Sequence, residues 1–267
     1  MIKWSAHLGM LFTELPFEQR PRAALDAGFD TIEAWWPDPE IHNRWLAAVH
    51  ETGVRVASIN CNGGNLAAGE RGFLNLPNRR SGNLADVEAA LELAQRCRAP
   101  RVSLLVGKAV DGIPLDDQWA TASFVIEQAV RMAEEAGVVL MLEPLNTVET
   151  PGYLVPSADR AEEIIAEVGS PNLRIMYDCY HAAMTGRDPV KEIGRFAPLI
   201  EHVQFADCPG RGAPGTGHLD LMAIVAALDQ SGYQGSIGLE YRTAGPTAEA
   251  MAFLAAEAYP AAPFPIA

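Results

Sequence analysis

Hydrophobic positions along the chain fall into eight short apolar runs, separated by longer segments whose apolar residues recur at helical spacing. The runs cover residues 2–8, 31–35, 55–61, 101–106, 138–142, 173–178, 202–206 and 236–240. Some of them, such as VVLML at 138–142, do not alternate with polar residues, which is typical of parallel strands buried on both faces. The pattern therefore predicts eight β-strands that alternate with helices.

Glycines and capping residues indicate the same arrangement. Glycines 28, 53, 137, 169 and 232 each stand where a helical pattern stops and a strand follows, a position that favours left-handed backbone. Asp38, Ser157 and Asp220 precede helical segments as candidate N-caps. Eight units in 267 residues give about 33 residues per unit, which matches one strand–helix step. We predict an α/β fold, a single (β/α)8 TIM barrel over residues 1–258, with a Pro-rich tail at 259–267; a doubly wound open sheet is the alternative.

Composition narrows the function classes. Apolar residues make up 49% of the chain and charged residues 20%, which excludes a disordered chain. The 34 acidic against 20 basic residues give a net charge of −14, which disfavours nucleic-acid and anionic-membrane partners. The longest apolar run, at 221–228, is far shorter than the roughly 20 residues of a membrane span. The N-terminal residues contain no extended apolar stretch, so we expect a cytoplasmic protein, and four cysteines without a Cys-x-x-Cys pair predict buried, reduced thiols.

Oxygen donors stand at the ends of the last four predicted strands, where barrels of this type carry their function. These donors are Glu143, Asp178, Gln204 and Glu240. Each alone has a structural explanation, as a helix cap, a rim ion pair or a core amide. Together, three carboxylates in one mouth would repel one another and resist burial unless a cation neutralised them. We therefore predict a divalent metal, with Mg²⁺ or Mn²⁺ favoured over Zn²⁺ by the oxygen-only donor set and Co²⁺ still feasible.

Other polar residues that follow predicted strands are candidates for substrate contacts. They are Lys108, Glu149, His181 and Arg211, together with Glu70 and Arg71 in the long segment after the third strand. Lys108 and Arg211 could hold a substrate carboxylate or be surface charges. The imidazole of His181 is better suited to donating a hydrogen bond than to binding the metal. The segment around Glu70 is either a lid or a solvated turn.

Several familiar catalytic motifs are absent from the sequence. It contains no G-x-S-x-G elbow, no His-Glu-x-x-His pair and no Walker sequence, so triad hydrolases, zinc proteases and NTPases lack their residues. The GRGAPG segment at 210–215 matches G-x-G-x-x-G in letters, but Pro214 argues against a pyrophosphate cradle.

Nearly the whole chain resembles the hydroxypyruvate isomerase branch of the xylose-isomerase-like barrel proteins. The resemblance is carried by SAHL (5–8), MLF (10–12), AAGERG (67–72), LVGK (105–108), EPLN (143–146), YDCYH (177–181), QFAD (204–207) and PGTG (214–217). It implies that Glu143, Asp178, Gln204 and Glu240 are the metal ligands, and that Glu143 and Glu240 are also the acid/base pair. It further implies substrate contacts for Glu149, His181 and Arg211. His7 and His218 depart from the Asn and Glu that are usual at these positions in this branch. We expect the two differences to affect substrate identity more than the chemistry, with His7 as a substrate contact.

The resulting hypothesis is a metal-assisted aldose–ketose isomerase of a small hydroxy-oxo acid, with hydroxypyruvate to tartronate semialdehyde as the leading reaction. Isomerisation of 2-oxo-tetronates and 3-epimerisation of ketoses compete with it, because all three pass through an enediolate. A non-catalytic barrel that binds sugar acids is the alternative from a different class. A nuclease of the endonuclease IV type would need several metal-binding histidines and a basic cleft, which six histidines and the −14 charge oppose. The oligomeric state stays open, with a homo-oligomer among the options.

Overall fold

The computed structural model describes residues 3–247, and its centre is a closed barrel of parallel strands. The strands are β1 (Lys3–His7), β2 (Thr31–Ala34), β3 (Arg55–Asn60), β4 (Arg101–Leu104), β5 (Val139–Leu142), β6 (Leu173–Asp178), β7 (Ile200–Phe205) and β8 (Ser236–Leu239). They pair in chain order, and β1 pairs with β8, from Lys3 opposite Ser236 to Ala6 opposite Leu239. This closure confirms the predicted TIM barrel and excludes the doubly wound open sheet, which would have two free edges.

Helices follow the strands around the outside of the barrel. They are α1 (Arg20–Asp26), α2 (His42–Thr52), α3 (Arg80–Cys97), α4 (Leu115–Ala136), α5 (Ala158–Val168), α6 (Cys179–Met184), α7 (Pro189–Phe196) and α8 (Leu221–Gln230). The five glycines expected after helices all have positive φ, between 68° and 94°. The side chains of Asp38, Ser157 and Asp220 each accept a backbone N–H of the following helical turn, as predicted. The proposed tail, residues 259–267, lies outside the described residues.

Successive side chains of the strands point alternately out of and into the barrel. The outward side chains, such as Val203 and Phe205 of β7, belong to one apolar core shared with the helices. The inward ones are largely polar: Ser58, Glu33 and His202 are buried, and both Ser58 and His202 contact Glu33 inside the barrel. The apolar core between strands and helices therefore stabilises the barrel, while the barrel interior contains the polar groups that lie under the mouth.

The long segment between β3 and α3, here called the β3–α3 loop (residues 61–79), crosses the mouth beside β4. Gly72 donates its backbone N–H to the Gly63 carbonyl, and Phe73 forms an isolated antiparallel bridge with Gly107. The side-chain amide of Asn75 donates to the Lys108 carbonyl, 2.9 Å away. These bonds fasten the loop to the C-terminal end of β4.

The described part of the chain has no helix that combines the length and the hydropathy of a membrane span. The four cysteines, at 61, 97, 179 and 208, are buried free thiols, as expected.

Gly72 is required for the close approach of the β3–α3 loop to β4. Its φ is +85°, and a Cβ there would overlap the carbonyl oxygen of Leu105. We expect Gly72→Ala to lower the free energy of unfolding by about 2 kcal/mol or more, because left-handed strain adds to a backbone clash. Gly82→Ala is the matched control: a Cβ on this helical glycine meets nothing, so we expect a gain of about 0.5–1 kcal/mol. Urea unfolding of both variants measures the difference, and equal stabilities would contradict this account of the loop.

Candidate active site

A cavity of about 430 Å³ opens at the C-terminal ends of the strands, and Glu143, Glu240, His181 and Arg211 are among its lining residues. A second cavity, of about 500 Å³, lies at the opposite end of the barrel beside Arg55 and Arg101. Those two arginines are already paired with Asp30 and Glu201, and no group of carboxylates converges there among the described residues. The cavity in the mouth is therefore the candidate active site.

Three carboxylates converge at this mouth, each just beyond or at the end of a strand. Glu143 follows β5, Asp178 ends β6 and Glu240 follows β8, and all three are buried. One guanidinium nitrogen of Arg211 lies 3.1 Å from Glu240 Oε2 and 3.4 Å from Asp178 Oδ2. Oxygen atoms of Glu143 and Asp178 and a ring nitrogen of His181 lie within 4.8 Å of one another. The strands thus bring the predicted carboxylates to one point, where the structure also places a cation.

The proximity of these carboxylates changes their protonation. Burial, reinforced by the neighbouring Glu240 and Asp178, raises the pKa of Glu143 well above its usual range. Burial also raises the pKa of Asp178, to about 7, although Arg211 opposes the shift. A cation that binds between these groups displaces any protons that they hold.

Gln204, near the end of β7, completes the set of oxygen donors. Its side chain is buried, and its Oε1 atom has no hydrogen-bond partner among the described residues. A buried amide oxygen without a partner is costly unless a ligand satisfies it. Gln204 lies opposite Asp178 in the β6–β7 register, and its unpaired carbonyl oxygen, together with the carboxylates, is the kind of donor that suits a hard divalent cation such as Mg²⁺ or Mn²⁺. Glu143, Asp178, Gln204 and Glu240 are thus the residues that could hold it.

Asp178 has two roles, because it also caps α6 by accepting the backbone N–H of Tyr180 at 2.8 Å. A structural role as a helix cap is therefore correct for Asp178, but the cap uses only one carboxylate oxygen. The other oxygen, Oδ2, faces Arg211 and His181.

His181 is held as a hydrogen-bond donor towards the mouth. Its Nδ1 atom accepts the backbone N–H of Asn146 at 3.3 Å, so the ring proton resides on Nε2. Nε2 lies 3.6 Å from Asp178 Oδ2. Burial and the nearby Arg211 lower the pKa of His181 well below its usual range, which keeps the ring neutral. This geometry supports the predicted role as a donor.

The remaining predicted substrate residues are spread over the mouth. Glu149 accepts the side-chain amide of Asn146 at 3.1 Å and lines the cavity. Arg71 also lines the cavity, whereas the exposed Glu70 accepts the backbone N–H of Asn65 and so holds the turn. The ammonium of Lys108 donates to the Gly69 carbonyl at 3.3 Å. Lys108 and Glu70 therefore bind the β3–α3 loop in this structure, while Arg71 faces the cavity.

His7 lies at the inner wall of the mouth. Its Nδ1 accepts the backbone N–H of Gly9, which leaves the Nε2 atom 3.8 Å from Glu240 Oε1. His218 is exposed on the loop after β7. Of these two unusual residues, only His7 therefore contacts the carboxylate cluster.

Sequence reasoning missed three residues that shape the site. Trp35 donates its indole N–H to Glu240 Oε1 at 3.1 Å, and Asn146 binds both Glu149 and His181. Glu33, on β2, contacts Nε2 of His202 at 2.5 Å inside the barrel. His202 is thus a hydrogen-bonded residue of the barrel interior. A carboxylate within the apolar run at 31–35 was a signal for Glu33, but the other two depend on loop conformation.

Comparison with known proteins identifies the family of this chain. Residues 21–257 match the family described as xylose isomerase-like TIM barrel. The chain belongs to this family. It is 31% identical to hydroxypyruvate isomerase of Escherichia coli K12, covering 91% of this chain and 94% of that protein. It is 32% identical to 2-oxo-tetronate isomerase of Cupriavidus necator, covering 95% and 98%.

Among solved structures, a Brucella melitensis protein named AP endonuclease, family 2, superposes with a TM-score of 0.90 at 28% identity, covering 96% of this chain and 98% of that one. The family and its isomerase relatives show that this chain is an isomerase of the xylose isomerase-like family, as the resemblance implied.

The raised pKa of Asp178 predicts a pH dependence of stability in protein freed of metal by a chelator. The folded state holds a proton that the unfolded chain releases, so this stabilisation is complete below about pH 4 and disappears as the pH rises to about 7. Wild type should therefore lose stability relative to Asp178→Asn over this range, by up to ~1.4 kcal/mol per pH unit. Asparagine keeps the cap to Tyr180, which makes the comparison a matched one. Parallel melting temperatures of the two proteins from about pH 4 to about pH 8 would contradict the shift.

Proposed function

We propose that this chain is a divalent-metal-dependent aldose–ketose isomerase acting on a small hydroxy-oxo acid, with hydroxypyruvate to tartronate semialdehyde as the leading reaction. The observation that carries the proposal is the convergence of Glu143, Asp178 and Glu240 beside the unpartnered carbonyl oxygen of Gln204. The names of the two isomerase relatives support the reaction class.

The proposed metal ligands are Glu143, Asp178, Gln204 and Glu240. A divalent cation bound there would withdraw electrons from the substrate's carbonyl and hydroxyl oxygens and so acidify the carbon-bound proton. Mn²⁺ and Mg²⁺ fit the oxygen donors best, and Co²⁺ is compatible with them.

Glu143 and Glu240 are the proposed acid/base pair. They follow β5 and β8, so they approach a substrate in the mouth from different sides. One carboxylate removes the proton from the hydroxyl-bearing carbon, which leaves an enediolate. A proton is then returned to the neighbouring carbon, and the hydroxyl proton passes to the former carbonyl oxygen, which completes the isomerisation. A general base must lie within hydrogen-bond reach of the proton that it removes, and Glu143 and Glu240 both line the cavity in the mouth.

Other residues of the mouth could form hydrogen bonds and ion pairs with a small acid. His181 offers its Nε2 proton to a substrate oxygen, and Glu149 can accept a hydroxyl proton. Arg71, Arg211 and Arg242 line the cavity, and Lys108 lies in the adjoining loop contact with Gly69. A substrate carboxylate needs at least one such cation.

A 2-oxo-tetronate is the second candidate substrate. The cavity, at about 430 Å³, has room for a fourth carbon, and the Cupriavidus necator relative bears the name of this activity. Ketose 3-epimerisation would use the same proton transfer. The net charge of −14 and the buried carboxylates argue against the nucleic-acid substrate that the name of the Brucella protein suggests.

The decisive experiment follows carbon-bound hydrogen. Purified protein with Mn²⁺ or Mg²⁺ is incubated in D₂O with hydroxypyruvate, a 2-oxo-tetronate or a free ketose, and proton NMR detects product and deuterium. We expect isomerisation and deuterium uptake with the acids, and at least ~100-fold slower turnover in Glu143→Gln and Glu240→Gln, because each loses a proton-transfer group. Glu201→Gln, at the opposite end of the barrel, is the matched control and should retain activity. Substrate binding without isomerisation or deuterium exchange would instead indicate a non-catalytic barrel. Near-normal turnover in Glu143→Gln or Glu240→Gln would show that this glutamate is not part of the acid/base pair.

A second experiment identifies the residue that binds the substrate carboxylate. We expect Lys108→Met or Arg211→Met to raise KM for an acid about 10-fold or more, because a charged hydrogen bond of about 1.5–3 kcal/mol is lost, with a much smaller effect on a neutral ketose. Arg55→Met, at the opposite end of the barrel, is the control. Equal effects on both substrate types would assign a structural role to the residue, and Arg71 would then be the cation to test.

A further inference from the structure

A second buried charge cluster lies directly beneath the carboxylates of the mouth. Glu33 on β2 and His202 on β7 contact each other through Oε2 and Nε2, and neither residue is exposed. Their strands are not neighbours, since β8 and β1 separate them in the barrel. The contact therefore crosses the barrel interior, and none of the reaction steps above uses it.

The surrounding strands are shaped around the Glu33 carboxylate. The β2–β3 register shifts between Ile32 and Glu33, which re-aims the side chain. Ser58 on β3 donates to Glu33 Oε2 at 3.3 Å. On β8, Gly238 leaves the space that the carboxylate occupies, because a Cβ there would overlap Glu33 Oε1. Three strands thus accommodate one buried acid, which points to a defined task for it.

Gln204 connects this cluster to the mouth. It follows His202 by two residues on the same face of β7 and lies opposite Gly238, where the missing Cβ makes room for the Glu33 carboxylate. Its side-chain amide therefore adjoins this carboxylate and helps to lower the pKa of Glu33. A carboxylate oxygen accepts but does not donate, so the amide must turn its NH₂ group towards Glu33. The carbonyl oxygen of Gln204 then faces away from Glu33, and it is this oxygen that is buried without a partner among the described residues.

We propose that Glu33, held in place by His202, is a positioning residue that orients the side-chain amide of Gln204 so that its carbonyl oxygen faces the divalent-cation site. The inference rests on the proposed function, because it assumes that Gln204 binds the metal. An amide has one side that can bind a cation and one that cannot, and a freely rotating Gln204 would present its NH₂ group part of the time. A residue that holds a metal ligand in its orientation affects the metal affinity without contacting the metal.

Titration of metal-free protein with Mn²⁺, with free Mn²⁺ read by electron paramagnetic resonance, tests the proposal without requiring activity. In Glu33→Gln the new amide can donate to the Gln204 oxygen and turn it away from the site, so we expect Mn²⁺ affinity to fall about 10- to 100-fold. Glu192→Gln is the matched control, a buried glutamate bonded to Tyr177 and Arg187 outside the mouth, and should bind Mn²⁺ like wild type. Isomerase activity of Glu33→Gln should be low at limiting Mn²⁺ and recover at saturating Mn²⁺.

The same change in a Gln204→Glu background separates orientation from general damage. The two oxygens of a carboxylate are equivalent, so the side chain introduced by Gln204→Glu has no wrong side, and Glu33→Gln should cost no Mn²⁺ affinity in that background. A structural role for Glu33 predicts the same loss in both backgrounds. An equal loss of Mn²⁺ affinity in the Gln204 and Gln204→Glu backgrounds would overturn the proposal. So would the absence of any loss in the background that keeps Gln204.

A second route covers the case in which Glu33→Gln does not fold. Gly238→Ala displaces the Glu33 carboxylate without removing a polar group, and it should weaken Mn²⁺ binding when Gln204 is present but not in the Gln204→Glu background. A further measurement needs no variant of Glu33: NMR reports how well the Gln204 side-chain NH₂ is protected from hydrogen exchange. Rapid exchange would contradict the contact between this NH₂ group and Glu33. If wild type binds Mn²⁺ and these tests fail, only the positioning role is wrong; if wild type binds no Mn²⁺, the proposed metal site fails as well.

Discussion

Three carboxylates that meet in a buried mouth impose the main constraint on this structure. Glu143, Asp178 and Glu240 repel one another and lose hydration on burial, and the raised pKa values of Glu143 and Asp178 express both effects. The fold responds by placing Arg211 between Asp178 and Glu240. The negative charge that remains favours a bound cation, which makes the mouth a candidate for metal-assisted proton transfer rather than for a hydrolytic triad.

The loop that carries Arg211 is organised to hold the guanidinium in place. Arg211 adopts a left-handed backbone with φ 55°, which is uncommon for a residue with a side chain. The carboxylate of the buried Asp207 accepts the backbone N–H groups of Cys208, Gly215 and Leu219, at 2.8, 2.9 and 3.0 Å. An acidic residue outside the cluster thus fixes the loop that supplies the cluster's counter-charge.

The polar barrel interior is the second consequence of the constraint. An apolar interior would stabilise the barrel more, because a buried polar pair such as Glu33–His202 gains little over hydrophobic packing. The apolar core between strands and helices carries the stability instead. This division of roles leaves the inward-facing positions free to arrange charges beneath the mouth.

Local sequence determined the strands, their chain order and the carboxylates that end them. Alternation with period two sets which side chains point inward, and glycines with positive φ mark the helix ends, so the barrel class and the positions of Glu143, Asp178 and Glu240 at strand ends could be predicted. The resemblance to a family added the expected roles of these residues. Such patterns depend only on neighbours a few residues apart in the chain.

Tertiary structure alone decided the contacts between distant elements. The pairing of β1 with β8 excluded an open sheet, and the contact of Glu33 with His202 joins residues 169 positions apart. The Lys108 ammonium binds the Gly69 carbonyl, because the β3–α3 loop passes close to β4. Contacts of this kind depend on the stagger of the closed barrel and on a missing side chain at Gly238, and no periodicity in the chain encodes either of them.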